Sequence, residues 1–209
     1  MGRRREGINT LATEVLSPGA PTVRVDAHSL GLTDEQFFRL CQDNRDLRFE
    51  MTARGELIIM APTGSETGRR NARINQRLLN WSDADGTGVV FDSSSGFRLP
   101  NGARVSPDAS WVSRERYEAV APEEREKFAP VCPDFVVELR SPSDNLQELQ
   151  ERMAEYIENG ARLGWLLDPS SRRVYVYRPS REVEILEGPE TVDGDPVLPG
   201  FVLDLREIW

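Results

Sequence analysis

The stretch from Phe135 to Pro169 constrains what this chain can fold into more than any other. Phe135-Val136-Val137-Glu138-Leu139 is an apolar run broken by one acid, the pattern of a central strand covered on both faces. Ser141-Pro142-Ser143-Asp144-Asn145 follows as a capping turn. Leu146, Leu149, Met153, Tyr156 and Ile157 then fall on one helical face, and Gly160 ends the helix. Gly164-Trp165-Leu166-Leu167-Asp168-Pro169 is a second short buried strand. A strand–helix–strand succession of this kind places the chain in the α/β class.

The flanking segments fit one mixed α/β sheet. Thr33 precedes acidic residues and an apolar face of Phe37, Phe38, Leu40 and Cys41, which predicts a capped helix. Residues 47–60 alternate as a hairpin with its turn at Ala53–Gly55. A turn-rich loop leads into a helix over about Glu66–Trp81, followed by short strands near Gly88–Phe91 and Phe97–Leu99 and a strand through Val105–Val112. Residues 113–130 are charged and partly helical, and Val174–Pro179 with Glu182–Leu186 reads as a C-terminal hairpin. No repeat or long linker divides the chain, so residues 26–209 are expected to form one domain behind a loosely ordered arm over 1–25.

Rare residues exclude several chemistries. The 209 residues include one histidine, His28, and two cysteines, Cys41 and Cys132, too few for a zinc finger or a disulfide framework. His28 precedes the Thr33 helix entry and reads as a loop or capping residue. Asp and Glu total 35 against 26 Lys and Arg, a net charge of −9 that argues against a general nucleic-acid coat. Lys127 is the only lysine; every other basic residue is arginine. No apolar run approaches the ~20 residues of a membrane span, and the basic N-terminus lacks the apolar segment of a secretory signal. The expected location is therefore the cytoplasm.

Glu138 is the first candidate for chemistry, because a carboxylate inside a covered strand needs a partner or a cation. The two-residue period puts Arg140 on its side, ~7 Å along the strand, where an ion pair is the plain alternative. Asp108, after Pro107 in a strand-like stretch, can bring a second carboxylate from a neighbouring strand; alone it would read as a turn residue. Two such acids suit Mg²⁺ or Mn²⁺. Arg152 lies on the flank of the 146–160 helix, able to reach the sheet or to pair with Glu148 or Glu155. Arg69, Arg73 and Arg77 form an i, i+4, i+8 stripe after a glycine-rich entry, either a nucleic-acid contact or an exposed basic face. The entry itself fails as a nucleotide-hydrolysing phosphate loop, since only three residues separate Gly64 from Gly68 and Arg69 replaces the lysine.

Ser106-Pro107-Asp108 with Phe135-Val136-Val137-Glu138-Leu139-Arg140 resembles the PD-(D/E)xK signature of restriction-endonuclease-like nucleases. The string from Glu138 to Pro169, together with residues 48–70 and the C-terminal hairpin, is similar to the Uma-type endonuclease family built on that fold. The resemblance covers about residues 30–209. It implies a core of αβββαβ order, a mixed central sheet flanked by helices, with an N-terminal helix and hairpin and a C-terminal hairpin added. It implies a Mg²⁺- or Mn²⁺-dependent endonuclease cleaving DNA, with Asp108, Glu138 and the Leu139 carbonyl holding the metal. A further acid from the first core helix is best matched by Glu66, with Glu50 behind it. The motif's lysine is absent: Arg140 stands at its third position and Arg152 where a helix lysine would be. Arginine cannot act as a base, but it can neutralise charge on a phosphate. A catalytically inactive DNA-binding or interaction subunit is the alternative, and a sugar hydrolase lacks the expected aromatic cleft. Nucleases of this kind commonly act as homodimers, and the apolar C-terminal segment 185–209 is expected to supply the exposed surface.

Overall fold

The computed structural model describes residues 22–60 and 62–209. Most of the N-terminal arm expected over 1–25 lies outside the described residues, but its end does not: Val23–Asp26 forms strand β1. Thr33 caps α1 (Asp34–Asp43) reciprocally, its hydroxyl accepting the Gln36 N–H while the Gln36 side chain accepts the Thr33 N–H. Phe37 of α1 is fully buried against Phe49 and Met51. Those two residues belong to β2 (Arg48–Met51), which forms the expected hairpin with β3 (Glu56–Met60). Gly55 takes φ +82° in the turn, a conformation that glycine reaches without strain.

After α2 (Ser65–Asp85) the chain enters β4 (Gly88–Asp92), then β5 (Phe97–Arg98) and β6 (Arg104–Val105). The helix runs four residues past the expected Trp81 and stops at Gly86, which is left-handed at φ +74°. The strand expected over Val105–Val112 is broken. Pro107 offers no N–H to a ladder, and at Ser106-Pro107-Asp108 the chain leaves one sheet and joins another as β7 (Ala109–Ser113). In place of a single sheet there is a five-stranded sheet, β1-β3-β2-β6-β5, beside a six-stranded one.

The short helices α3 (Arg114–Glu118) and α4 (Pro122–Arg125) lead to β8 (Phe135–Leu139), α5 (Leu146–Glu158) and β9 (Leu163–Asp168). The hairpin of β10 (Arg173–Tyr177) and β11 (Glu184–Glu187) completes the second sheet, in the order β11-β10-β9-β8-β7-β4. Only β8 and β9 are parallel there, as the intervening helix requires. The succession α2-β4-β7-β8-α5-β9 is the expected αβββαβ core.

Ile74 and Leu78 of α2 join Phe135, Val137 and Trp165 on one face, while Met153 and Tyr156 of α5 join Val136 and Leu166 on the other. The C-terminal segment buries most of its apolar side chains, although Ile185 and Val202 remain exposed. It contains β12 (Thr191–Asp193) and β13 (Val202–Asp204), and Leu198, Phe201, Leu203 and Ile208 are buried in the α2-side core. Most of the apolar surface expected of this segment is therefore taken up inside the fold. Among the described residues no helix is long and apolar enough to cross a membrane.

Candidate functional site

Alternation along β8 sends Phe135, Val137 and Leu139 to the α2 side and Val136 to the α5 side. Glu138 shares the side of Val136, and α5 supplies its partners. Tyr156 Oη donates to Glu138 Oε1 at 2.9 Å, and Arg152 Nη1 lies 3.6 Å from the same oxygen. Positions 152 and 156 are one turn apart, so both reach the strand from one helix face.

Arg152 also grips Glu50 of β2, Nη2 to Oε2 at 2.6 Å. Glu50 is buried, and its Oε1 accepts the Ser106 N–H at 2.9 Å. Two residues earlier on the same strand, Arg48 Nη2 donates to the Ser106 carbonyl. Ser106 is thus held at both of its backbone polar groups by β2 side chains, which fixes the break between the sheets.

Asp108 lies one residue before β7, beyond the last ladder pair of Ala109 with Val137, and near enough to Glu138 for their charges to interact. Asp108 Oδ2 accepts the Leu139 N–H and Oδ1 accepts Asn71 Nδ2, both at 2.9 Å. Asn75, one turn further along α2, donates to the Asp108 carbonyl at 3.0 Å.

These groups strain each other electrostatically. Burial pushes the Glu138 carboxyl up to about 8; Arg152 opposes the shift, and the charges of Asp108 and Glu50 add to it. Burial also raises Asp108, against the Leu139 N–H and the charge of Arg48. Arg152 is itself desolvated, yet Glu50 and Glu138 hold its pKa well above the ordinary value. It stays charged.

Glu50, Asp108, Glu138, Leu139 and Arg152 all line one cleft of about 1920 Å³, which β1–β3, the start of α2, the turn after β8 and one side of α5 enclose. Sequence reasoning thus placed Asp108, Glu138, Leu139 and Arg152 together. Glu66 reaches only the rim: it is exposed, and Arg69 and Arg70 bind its carboxylate. Glu50, the second choice, is the acid that stands with the other two.

Arg140 does not join them. Its Nη1 is 2.9 Å from Asp168 Oδ2, because the parallel register makes Asp168 its neighbour across the sheet. The arginine stripe faces away as well. Arg69, Arg73 and Arg77 lie 120–160° around α2 from Asn71 at about 100° per residue. There Arg73 and Arg77 meet Glu207 Oε2 at 2.7 and 3.6 Å, and Arg69 bonds the Glu207 carbonyl. Sequence reasoning missed Asn71 and Arg48 and read Tyr156 only as a core residue. The alternation of Arg48 with Glu50 in a strand was the available signal for Arg48; Asn71 gave none beyond its i, i+4 spacing to Asn75.

Among the described residues no group of three or more His, Cys, Asp or Glu side chains stands in metal-ligating geometry. The donors nevertheless fit one hard divalent cation, which needs only one or two carboxylates beside neutral oxygens. Glu138 Oε2 accepts no hydrogen bond among the described residues, and Asn71 Oδ1 is buried without a partner; both residues line the cleft.

A crystal structure described as that of "a putative nuclease belonging to DUF820" from Anabaena variabilis is similar in fold. It has a TM-score of 0.64 and 19% identity, over 77% of this chain and 88% of that one. A chain of a DrdV–DNA complex solved by cryo-electron microscopy matches at a TM-score of 0.36 and 18% identity, over 58% of this chain and 10% of that one. That second likeness is too slight to carry an argument. No curated protein matches the chain. Residues 34–206 match the family model Uma2, described as "Putative restriction endonuclease", and with that match covering every strand of both sheets but β1 and every residue of the carboxylate cluster, the chain belongs to the Uma2 family.

Proposed function

We propose that this protein is a divalent-cation-dependent endonuclease that hydrolyses DNA phosphodiester bonds. The observation that carries the reading is the buried pair of acids Asp108 and Glu138 lining one cleft, Asp108 bonded to the N–H of the residue after Glu138, with the Glu138 carboxyl pushed up to about 8. Paired acids in this state bind a cation to relieve their own repulsion. Asp108, Glu138 and the Leu139 carbonyl would hold Mg²⁺ or Mn²⁺, with Asn71 Oδ1 in reach of the same group of oxygens. A bound cation of this type lowers the pKa of water and neutralises charge on a phosphate.

The chain's own groups orient that donor set. The Leu139 N–H and Asn71 fix the Asp108 carboxylate, and Tyr156 fixes Glu138. Arg152 is charged at every working pH, so it holds Glu50 and Glu138 and stabilises phosphate charge rather than accepting a proton.

The test is nicking of supercoiled plasmid in Mn²⁺. Glu138→Gln and Asp108→Asn are each expected to lower the rate at least ~100-fold while the thermal midpoint stays at or above that of the wild type. Cleavage by Glu138→Gln at the wild-type rate overturns the assignment. One observation favours the second reading, a non-catalytic DNA-binding or interaction subunit: twelve acids and five arginines line the cleft, and Arg152 already spans Glu50 and Glu138. Calorimetry separates the two, because a non-catalytic cleft closed by Arg152 takes up no Mn²⁺.

A further inference from the structure

We propose that Arg48 is a phosphate-binding residue of this cleft, taking a non-bridging oxygen of a phosphodiester beside Asp108; the inference rests on the nuclease reading and names the cation that positions its substrate. Of the other arginines lining the cleft, Arg45 and Arg54 are exposed, and the rest, with neighbouring Arg140, are committed. Arg152 is held by Glu50 and Glu138, Arg140 by Asp168, and Arg24 by Glu56 and Glu148. Arg48 makes no ion pair among the described residues, although it is half-buried and lines the cleft.

Among the described residues its side chain makes one hydrogen bond, from Nη2 to the Ser106 carbonyl, and its Nε is buried without an acceptor. A buried N–H donor left without an acceptor is a costly arrangement that an incoming anion relieves. Asp108 does not fill that need: its two oxygens accept from Asn71 and Leu139, and it senses Arg48 only through charge. The planar donor fork of arginine matches phosphate oxygens, and its anchor on Ser106 removes much of the entropy cost of holding it in place. In a cleft dominated by acids, a fixed and unpaired cation decides where a phosphate can come to rest. Arg48 and Glu50 alternate on β2, so the same strand that completes the carboxylate cluster presents this cation next to it.

Binding of a fluorescent DNA duplex, followed by anisotropy in Ca²⁺ over a range of salt concentrations, tests the assignment together with a titration of inorganic phosphate followed by ³¹P NMR. Each lost phosphate contact lowers the slope of log K against log salt by about 0.9. Arg48→Gln, whose amide can still donate to Ser106, is expected to lose that increment, to bind duplex about tenfold more weakly, and to lose phosphate binding. Arg48→Lys is expected to restore the slope, which a purely structural role for Arg48 would not produce. An unchanged slope and unchanged phosphate affinity in Arg48→Gln overturn the proposal. Wild-type protein that binds phosphate through Arg48 but no duplex overturns the nuclease reading and leaves the phosphate site standing. Binding of neither probe overturns both.

Discussion

Burial pushes the Glu138 carboxyl up to about 8, and this has consequences for stability as well as chemistry. Its carboxyl titrates near 8 when folded against an ordinary 4.5, so between those values the folded chain binds more protons than the unfolded one. Stability from this group is complete below about 4.5 and declines as pH rises toward 8. In EDTA, the wild-type melting temperature is expected to fall across that window relative to Glu138→Gln, which has no carboxyl to ionise. Differential scanning fluorimetry at a series of pH values measures the difference, and parallel curves for the two proteins contradict it. Because a cation must displace the proton, Mn²⁺ affinity should rise over the same window.

At the scale of elements, close approaches of backbone to side chain decide where the layers sit. A Cβ on Gly88 of β4 would lie 2.2–2.3 Å from the Trp111 indole on the neighbouring strand β7. The ring is buried and rigid, so Gly88→Ala should cost about 1–3 kcal/mol in urea denaturation. Gly164 of β9 meets Met153 of α5 just as closely, at 2.4 Å, but through a methyl group at the end of a flexible side chain. Gly164→Ala should therefore cost less than Gly88→Ala; the reverse order would mean that α5 is held more rigidly on the sheet than Trp111 is.

For the whole molecule, the C-terminal segment closes the core on the α2 side. Phe201 stacks on Trp165 with ring centroids 5.8 Å apart and also meets Trp81 and Phe135. Phe201→Ala should destabilise the protein by about 3–5 kcal/mol in the same urea assay, the range for a large aromatic removed from a packed core. A loss below ~1 kcal/mol would restore the idea that this segment is a surface for a second copy. The cleft, too, is a property of the whole: its acids come from β2 in one sheet and from the β7 and β8 region of the other, joined at the break around Pro107.

The sequence alone determined the strand–helix–strand unit of 135–168 and nominated Asp108, Glu138 and Arg152, because strand and helix periods and a short motif are local properties. It also located the hairpin of β2 and β3 to within a residue or two. Only the tertiary structure decided which acid completes the cluster, since Glu50 and Glu66 are equally acidic in sequence and differ in what faces them: Arg152 and the Ser106 N–H for one, Arg69 and solvent for the other. It likewise turned Arg140 to Asp168 and the α2 stripe to Glu207, and among the described residues it left Arg48 without a carboxylate. Charge partners come from segments distant in the chain, and no local pattern encodes which of them will meet.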